Sequence, residues 1–312
     1  MRRWWWPAAF AAVAAAIAGD ALRFHRRRVP PELRPALREF ARQCPGWLVC
    51  QRERANLASG IYVARVGSGA MVRLGDGRYP RWSPDGRHIA FFRGADVMCM
   101  TAEGRRPRIV ATASDPAPRA LAFHPSGREI WFTDGSTLRA ADLLTGAVRE
   151  VLTNVPVRGL DLSADGRRMM ISVSGHRIFA TPIGDDGRVQ GVGRSMGRGC
   201  SACIAPDGVV FTDLMGGHHT LQLRRWDDGG ELRRLEAPAG VLIDNEAWSN
   251  ARRWLVVRSE HPAPADAWIM DTDSGEAVRV TFAGDVNRPD LYVDAGAGGW
   301  ARWWWRRWTR WR

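Results

Sequence analysis

Lysine is absent from this chain of 312 residues, so all 45 basic side chains are arginine. A GC-rich genome explains this bias without functional selection, and selection for guanidinium chemistry is the alternative. Histidine is also scarce, with seven residues in all. Because imidazole is a common ligand of structural and catalytic zinc, the composition offers little material for a histidine-based metal centre.

Motifs of the common catalytic classes are missing as well. The chain has no His-Glu-x-x-His metal motif, no phosphate-binding loop and no dinucleotide fingerprint. Residues 193–197 match the Gly-x-Ser-x-Gly pattern of a nucleophile elbow, but they fall in a Gly-rich connection between an outer strand and the next inner strand. No α/β domain follows to present the serine. We therefore predict that the protein is not an enzyme and uses no cofactor.

Five cysteines neither prove nor exclude an oxidising compartment. Cys44 and Cys50 flank a Pro-Gly turn and could form a disulfide if the chain is exported. Cys99 lies in the middle of an apolar strand, which predicts a small core residue. The cysteines therefore leave the redox compartment open.

A Cys-x-x-Cys pair stands at Cys200 and Cys203, and the nearest other metal-ligand types are His218 and His219. A zinc site needs two further ligands, and the chain has no second cysteine pair with ligand spacing. Buried or structurally paired thiols, a disulfide, and a metal or redox site are the alternatives. We favour buried thiols, and a solvated turn for the two histidines.

The net charge of +12 is concentrated at the two ends of the chain. Residues 1–42 carry +6 and residues 300–312 carry +5, which leaves +1 for everything between them. A duplex-binding domain is expected to carry a basic face on its folded body. We therefore predict no nucleic-acid partner.

The N-terminal sequence has the pattern of a signal peptide. Arg2 and Arg3 precede an apolar run over 4–19, which is short for a membrane span. Arginines at 23 and 26–28 follow the run, and positive charge there disfavours export. A cleaved signal, an uncleaved anchor and a cytoplasmic protein are the alternatives, and we predict a periplasmic or secreted protein.

A hairpin signal recurs through the middle of the chain. In YPRWSPDGRHIAFFR (79–93), two short strands flank a turn in which Pro84 presets φ and Gly86 supplies a positive φ. Similar corners follow at 125, 164, 206 and 250, with a degraded copy at 294, so that the spacing is 39 to 44 residues. A period of roughly 40 to 45 residues, with four strands per repeat, is typical of propeller blades.

The stretch WSPDGRHIAF (82–91) resembles the WD-like repeat of TolB-type β-propellers, and the resemblance covers roughly residues 45–299. It is closest in the first and fourth copies. The resemblance implies a propeller that acts as a periplasmic partner of envelope complexes. The sequence predicts no separate N-terminal α/β domain of the kind that TolB carries.

Counting strands predicts an all-β, six-bladed propeller of four-stranded blades. Five corners each lead a full set of four strands, whereas residues 47–74 supply three strands and 288–293 a single inner strand. Placing these in one blade closes the ring and leaves no exposed sheet edges. The predicted organisation is a signal or anchor (1–21), a basic linker with a short helix (22–45), the propeller (46–299) and a Trp/Arg-rich tail (300–312).

Aligning the repeats on their corners predicts a ligand-binding rim at one mouth of the central channel. Six residues before each corner the chain passes from an outer strand to the next inner strand, and four of these six positions are arginine. Arginine suits bidentate recognition of carboxylate or phosphate, although solvated loop arginines in an Arg-rich protein are the simpler alternative. Two positions further on, the series contains two acids. The predicted rim residues are Arg78, Arg119, Arg158, Arg288, Glu246 and Asp290.

The tail WARWWWRRWTRWR contains six tryptophans and five arginines. Tryptophan prefers the headgroup region and arginine is attracted to anionic lipid, which predicts adsorption to a membrane surface. A low-complexity extension without a role is the alternative. The predicted contact residues are Trp303, Trp304, Trp305, Arg306, Arg307 and Trp308.

These features predict a monomeric, envelope-associated propeller that binds a protein or an anionic ligand at the channel mouth. The alternative is a metal-dependent lyase or hydrolase acting on an acidic saccharide in the channel, which requires His218 or His219 to converge with other ligands. A third possibility is a membrane-adsorbed structural protein in which the ring is a spacer.

Overall fold

The computed structural model describes residues 29–53, 59–260 and 262–294. The predicted signal segment (1–21) and the tail (300–312), including its predicted membrane contacts, lie outside the described residues. Within these ranges, no helix is both long enough and apolar enough to cross a membrane.

The strands form six four-stranded antiparallel sheets. Blade 1 contains β1 (Gly46–Arg52), β2 (Gly60–Arg65) and β3 (Met71–Asp76), and blade 2 contains β4 (Arg78–Trp82), β5 (His88–Arg93), β6 (Asp96–Thr101) and β7 (Arg108–Thr112). Blade 3 contains β8 (Leu121–Phe123), β9 (Glu129–Asp134), β10 (Thr137–Asp142) and β11 (Val148–Leu152), and blade 4 contains β12 (Val157–Leu162), β13 (Arg168–Val173), β14 (Arg177–Pro182) and β15 (Arg194–Arg198). Blade 5 contains β16 (Ala202–Ile204), β17 (Val210–Leu214), β18 (Thr220–Arg225) and β19 (Glu231–Glu236), and blade 6 contains β20 (Leu242–Trp248), β21 (Trp254–Glu260), β22 (Ala267–Asp271) and β23 (Ala277–Arg279). The last strand, β24 (Val286–Val293), is the inner strand of blade 1. The fold predicted from the sequence, an all-β six-bladed propeller, is confirmed.

The repeated corners owe their shape to short-range hydrogen bonds between the first and second strands of a blade. In blade 2, Ser83 Oγ donates to Asp85 Oδ1 at 2.6 Å and accepts the backbone N–H of His88 at 2.9 Å. Gly86 has a φ of +68°, and a Cβ added there would lie 2.5 Å from the Tyr292 ring. Glycine is therefore required twice over, by its conformation and by its contact with blade 1.

Ring closure occurs in blade 1, as the sequence predicted. Strand β1 pairs with β24 in antiparallel register, with Trp47 opposite Tyr292 and Leu48 opposite Leu291. A nearly bidentate ion pair reinforces the junction, because Arg52 donates to both Asp285 carboxylate oxygens at 2.6 and 2.9 Å. The two ends of the propeller sequence are thus joined by a full strand ladder.

The hydrophobic core lies between neighbouring blades. Six clusters of buried side chains each span one interface between neighbouring blades, from blades 1 and 2 around to blades 6 and 1. Trp131, Phe132 and Phe92 are among the largest fully buried side chains, and burying one such residue stabilises the fold by roughly 1.5–3 kcal/mol. Because each blade needs both neighbours to bury its faces, the core favours a closed ring.

A short helical segment covers the seam between blades 1 and 6. It begins with a 3₁₀ turn over Pro31–Leu33 and continues as α1 over Arg34–Gln43. Leu37 is buried, and the Phe40 ring packs edge-on against Trp254 with 5.5 Å between ring centroids. This helix lies within residues 22–45, for which the sequence predicted a linker with a short helix.

Candidate functional site

The six inner strands (β4, β8, β12, β16, β20 and β24) surround a central channel with two mouths. We call the mouth where each inner strand begins the first mouth, and the mouth at the repeated corners the second mouth. A cavity of about 340 Å³ lies at the first mouth and one of about 300 Å³ at the second. Both mouths of the channel are therefore concave.

Four of the six predicted rim residues line the first-mouth cavity: Arg119, Arg158, Arg288 and Glu246. Arg78 is not among the lining residues, because its Nη2 donates to the carbonyl oxygens of Gly94 and Pro116, both at 3.3 Å. Asp290 lines the second-mouth cavity instead.

Arg119, Arg158 and Arg288, which we call the arginine arc, have no carboxylate partner within the described residues. Arg119 and Arg158 are exposed, and Arg158 Nε donates only to Ser174 Oγ at 3.0 Å. The Arg288 guanidinium lies over the Tyr79 ring, 4.8 Å from its centroid. These guanidinium groups therefore present positive charge to the cavity.

Blade 6 contributes acidic groups to the same cavity. Asp244 accepts a hydrogen bond from Asn245 Nδ2 at 2.9 Å, and Glu246 Oε2 accepts one from Ser201 Oγ. Glu246 is only 8% exposed, and its Oε1 has no hydrogen-bond partner. Burial, with a smaller contribution from the charge of Asp244, raises the pKa of Glu246 to about 8. The sequence analysis did not predict Ser201 and Asn245, although each directly follows one of the aligned rim positions, 200 and 244.

The backbone at the first mouth is locally strained. Tyr79, Asn245 and Arg288 have φ values of +54°, +54° and +47°. Each coincides with a register shift in the ladder of its inner strand. A non-glycine residue in the left-handed region costs on the order of 1–3 kcal/mol, and such residues cluster at functional sites. Bulges in β4, β20 and β24 thus distinguish the first mouth from the regularly paired remainder of these inner strands.

An ionic cluster of the partly buried Arg81 and Asp161 and the buried Asp290 separates the two cavities. Arg81 Nη2 lies 2.9 Å from Asp161 Oδ1, and Arg81 Nε lies 3.8 Å from Asp290 Oδ2. The backbone N–H groups of Trp82 and Ile204 donate to Asp290 and Asp161 at 2.7 and 3.0 Å. Burial outweighs the attraction of Arg81 and raises the pKa of Asp161 to about 6. Because Arg81 and Asp161 line both cavities, this cluster divides the channel.

The second mouth has a different lining. Aromatic and proline side chains contribute to it, and Trp82 lies against Tyr292 with 6.1 Å between ring centroids. Further lining residues from the corners are Pro84, Phe123, Pro125, Pro206 and Trp248.

The predicted metal candidates do not converge. His218 Nδ1 lies 3.0 Å from Glu260 Oε2, whereas His219 is exposed in the same hairpin. Cys203 is buried with its Sγ 2.8 Å from Thr212 Oγ1, and Cys200 is partly exposed. The part of the chain that the structure describes holds no group of three His, Cys, Asp or Glu side chains placed to bind a metal ion.

All five cysteines are free thiols, so neither Cys44 with Cys50 nor Cys200 with Cys203 is joined in a disulfide. Burial raises the pKa of Cys44 to about 12 and that of Cys99 to about 11. Since the thiolate is the reactive form, these side chains behave as small core residues.

Four of the five residues of the Gly-x-Ser-x-Gly match, 194–197, lie in β15, the outer strand of blade 4, and not in a connection between blades as the sequence suggested. Ser195 is exposed there and pairs with Phe179 of β14, next to a register shift in the ladder. An outer strand of a propeller blade lacks the strand-turn-helix geometry that exposes a nucleophile.

Comparison with known proteins identifies relatives by structure only. No family model matches the sequence, and no curated protein is detectably similar to it. The structure of TolB from Acinetobacter baumannii superposes with a TM-score of 0.61 at 16% identity, covering 79% of this chain and 66% of the TolB chain. A structure of a nidogen/laminin complex gives a TM-score of 0.61 at 11% identity, covering 79% of this chain and 97% of the other. Hydrazine synthase from Kuenenia stuttgartiensis is more distant, with a TM-score of 0.48 at 14% identity.

These identities are too low to transfer an activity, but the architectures agree. The order of strands within each blade, the closure in blade 1 and the superpositions lead to the same conclusion. The chain is a six-bladed β-propeller with the fold of the TolB type.

Proposed function

We propose that the protein is a non-catalytic binding propeller whose first mouth receives a carboxylate-bearing segment of a partner protein. One observation carries the proposal: Arg119, Arg158 and Arg288 line one concave site and none of them has a carboxylate partner among the described residues. Other arginines of the ring, such as Arg224 with Asp213 at 2.9 Å, are neutralised within the fold.

Physical chemistry favours an anionic ligand here. Guanidinium groups form planar, charge-assisted hydrogen bonds that match carboxylates bidentately. Three of them around a concave site raise the local concentration of anions and steer their approach. One structure of similar fold is part of a nidogen/laminin complex, which agrees with a protein partner for this chain.

The test measures binding of the acetylated peptide Ac-Ala-Ala-Glu-Glu by calorimetry. We expect Arg119→Ala with Arg158→Ala to weaken binding at least about tenfold, because charge-assisted hydrogen bonds contribute roughly 1.5–3 kcal/mol each. The matched control is Arg87→Ala with Arg167→Ala, which removes the same charge from exposed corners at the second mouth. Equal losses in both double variants, or none in either, would contradict the proposal.

Export and envelope association form part of the same proposal. The signal-like N-terminus and the Trp/Arg tail support it by composition alone. Localisation of a tagged full-length chain in cell fractions tests it, and recovery in the cytoplasm would contradict it.

A further inference from the structure

The acidic groups at the first mouth form no ion pairs with the arginine arc. Asp244 and Glu246 have no cationic partner among the described residues, although Arg288 stands on the adjacent blade 1. Glu246 is more than nine-tenths buried at the cavity, and one of its carboxylate oxygens has no hydrogen-bond partner. A buried polar atom without a partner costs roughly 1–3 kcal/mol, so its retention calls for an explanation.

The side-chain amides of Asn245 and Asn287 lie between the carboxylate of Asp244 and the backbone of Arg288. Asn245 Nδ2 donates to Asp244 Oδ2 at 2.9 Å and to Asn287 Oδ1 at 3.3 Å. Asn287 Oδ1 also accepts the backbone N–H of Arg288 at 2.9 Å. This chain of amides ties Asp244 to blade 1 without forming an ion pair with its arginine.

The order of blades places the opposite charges across the channel. In a ring of six blades, blade 6 with Asp244 and Glu246 stands opposite blade 3 with Arg119. A bound molecule at the centre of the cavity therefore meets Asp244 and Glu246 on one side and the arginines of blades 3 and 4, Arg119 and Arg158, on the other, while Arg288 of blade 1 stands beside the acidic groups.

We propose that the ligand of the first mouth is a peptide segment that carries an amine as well as a carboxylate, with the amine placed against Asp244 and Glu246 and the carboxylate against Arg119 and Arg158 on the far side of the arginine arc. This proposal rests on the proposed function and specifies the ligand further. An amine supplies the hydrogen-bond donors that the acidic side lacks, and the separation of charge across the channel fixes the direction in which the segment enters.

Binding of an amine has a proton signature. Because burial raises the pKa of Glu246 to about 8, its carboxyl group is mainly protonated at neutral pH in the empty cavity. A cation beside it stabilises the carboxylate, so the carboxyl proton passes to solvent when the amine binds. The charged or titratable groups that interact with Glu246 are Asp244, Asp213 with its partner Arg224, Cys200 and Cys203. Glu260, with its partners His218 and Arg258, lies beyond Cys200.

The experiment compares Ac-Ala-Ala-Glu-Glu with the same peptide bearing a free N-terminal amine, by calorimetry in two buffers of different ionisation enthalpy. We expect the free-amine peptide to bind about tenfold more tightly and to release a proton. Glu246→Gln should remove the proton release, and Asp244→Asn should remove much of the affinity difference. Asp185→Asn, in an exposed hairpin of blade 4, is the control for loss of one negative charge.

The outcomes separate the two proposals. Equal affinity for the two peptides, with both still weakened by Arg119→Ala and Arg158→Ala, overturns the dipolar ligand and leaves the anion-binding function intact. Binding of either peptide that does not depend on the arginines overturns both proposals, as does the absence of binding. A preference for the free amine that persists in Asp244→Asn and Glu246→Gln also overturns the assignment of the acidic groups.

Discussion

The two mouths of the channel are built from the same six strands but have different chemistry. At the second mouth, polar side chains are used within the corners, as in Ser83 with Asp85 and Ser163 with Asp165. At the first mouth, charged side chains of both signs remain without ionic partners among the described residues, as in Arg119 and Asp244. The polar groups that recur with the repeat serve the fold, whereas those that differ between repeats are available to a ligand.

The backbone shows the same contrast. Positive φ at the corners falls on glycines such as Gly86 and Gly166, where it costs little. At the first mouth it falls on Tyr79, Asn245 and Arg288, where it stores strain. Strained non-glycine residues cluster at functional sites, so the strain marks the first mouth as the candidate binding surface.

The largest expected effect concerns Arg81, which separates the mouths. Arg81→Met leaves Asp161 and Asp290 as buried carboxylates without a cation, and losing one partner of a buried pair costs about 3–5 kcal/mol. We expect the free energy of unfolding, measured by denaturant titration, to fall by that amount. The loss should be larger above about pH 6 than below it, because protonation relieves the buried charge of Asp161. The control is Arg87→Met, which removes an exposed arginine at a corner. Equal stability of the two variants would contradict the role of Arg81 in neutralising the two carboxylates between the cavities.

An intermediate effect is expected at Glu246. The unfolded carboxyl ionises above its ordinary pKa of 4.5, whereas the folded one stays protonated up to about pH 8. The unfolded state therefore binds fewer protons in this window, and the stability of the native protein falls as pH rises from about 4.5 to 8. We expect Glu246→Gln to remove this fall and to stabilise the fold near neutral pH by roughly 1–3 kcal/mol. Thermal unfolding across pH, with Asp185→Asn alongside, checks the result; a parallel pH profile in Glu246→Gln would refute it.

The smallest effect on the fold is expected from the tail. The described chain ends at Asp294, next to Tyr292 of the second-mouth cavity, and the buried Val29 near α1 packs in the same cluster as Val293. Both ends of the described chain therefore lie on the second-mouth side of the propeller. Deleting residues 301–312 should leave the unfolding midpoint and peptide binding unchanged while lowering partition onto anionic vesicles. Unchanged partition would rule out the adsorptive role.

The sequence predicted the ring well and its rim only in part. Corner residues such as Pro84 and Gly86 act over a few positions, so their spacing reveals the blades and the pairing of 288–293 with the N-terminal strands. Glu246 and Asp290 occupy equivalent positions before their corners, yet only Glu246 lines the first mouth. The reason is the bulge: in β20 it includes Glu246 itself, whereas in β24 it ends one residue earlier and Asp290 is already paired with Val49.

By itself the sequence determined the number of blades, the site of closure and the near neutrality of the propeller, because these depend on local turn chemistry and composition. Only the tertiary structure decided which charges stay unpaired. Arg81 and Arg119 are indistinguishable as residue types, but one meets two carboxylates inside the channel and the other meets none. Ionic partners come from blades that are distant in sequence, so only the closed ring brings them together or keeps them apart.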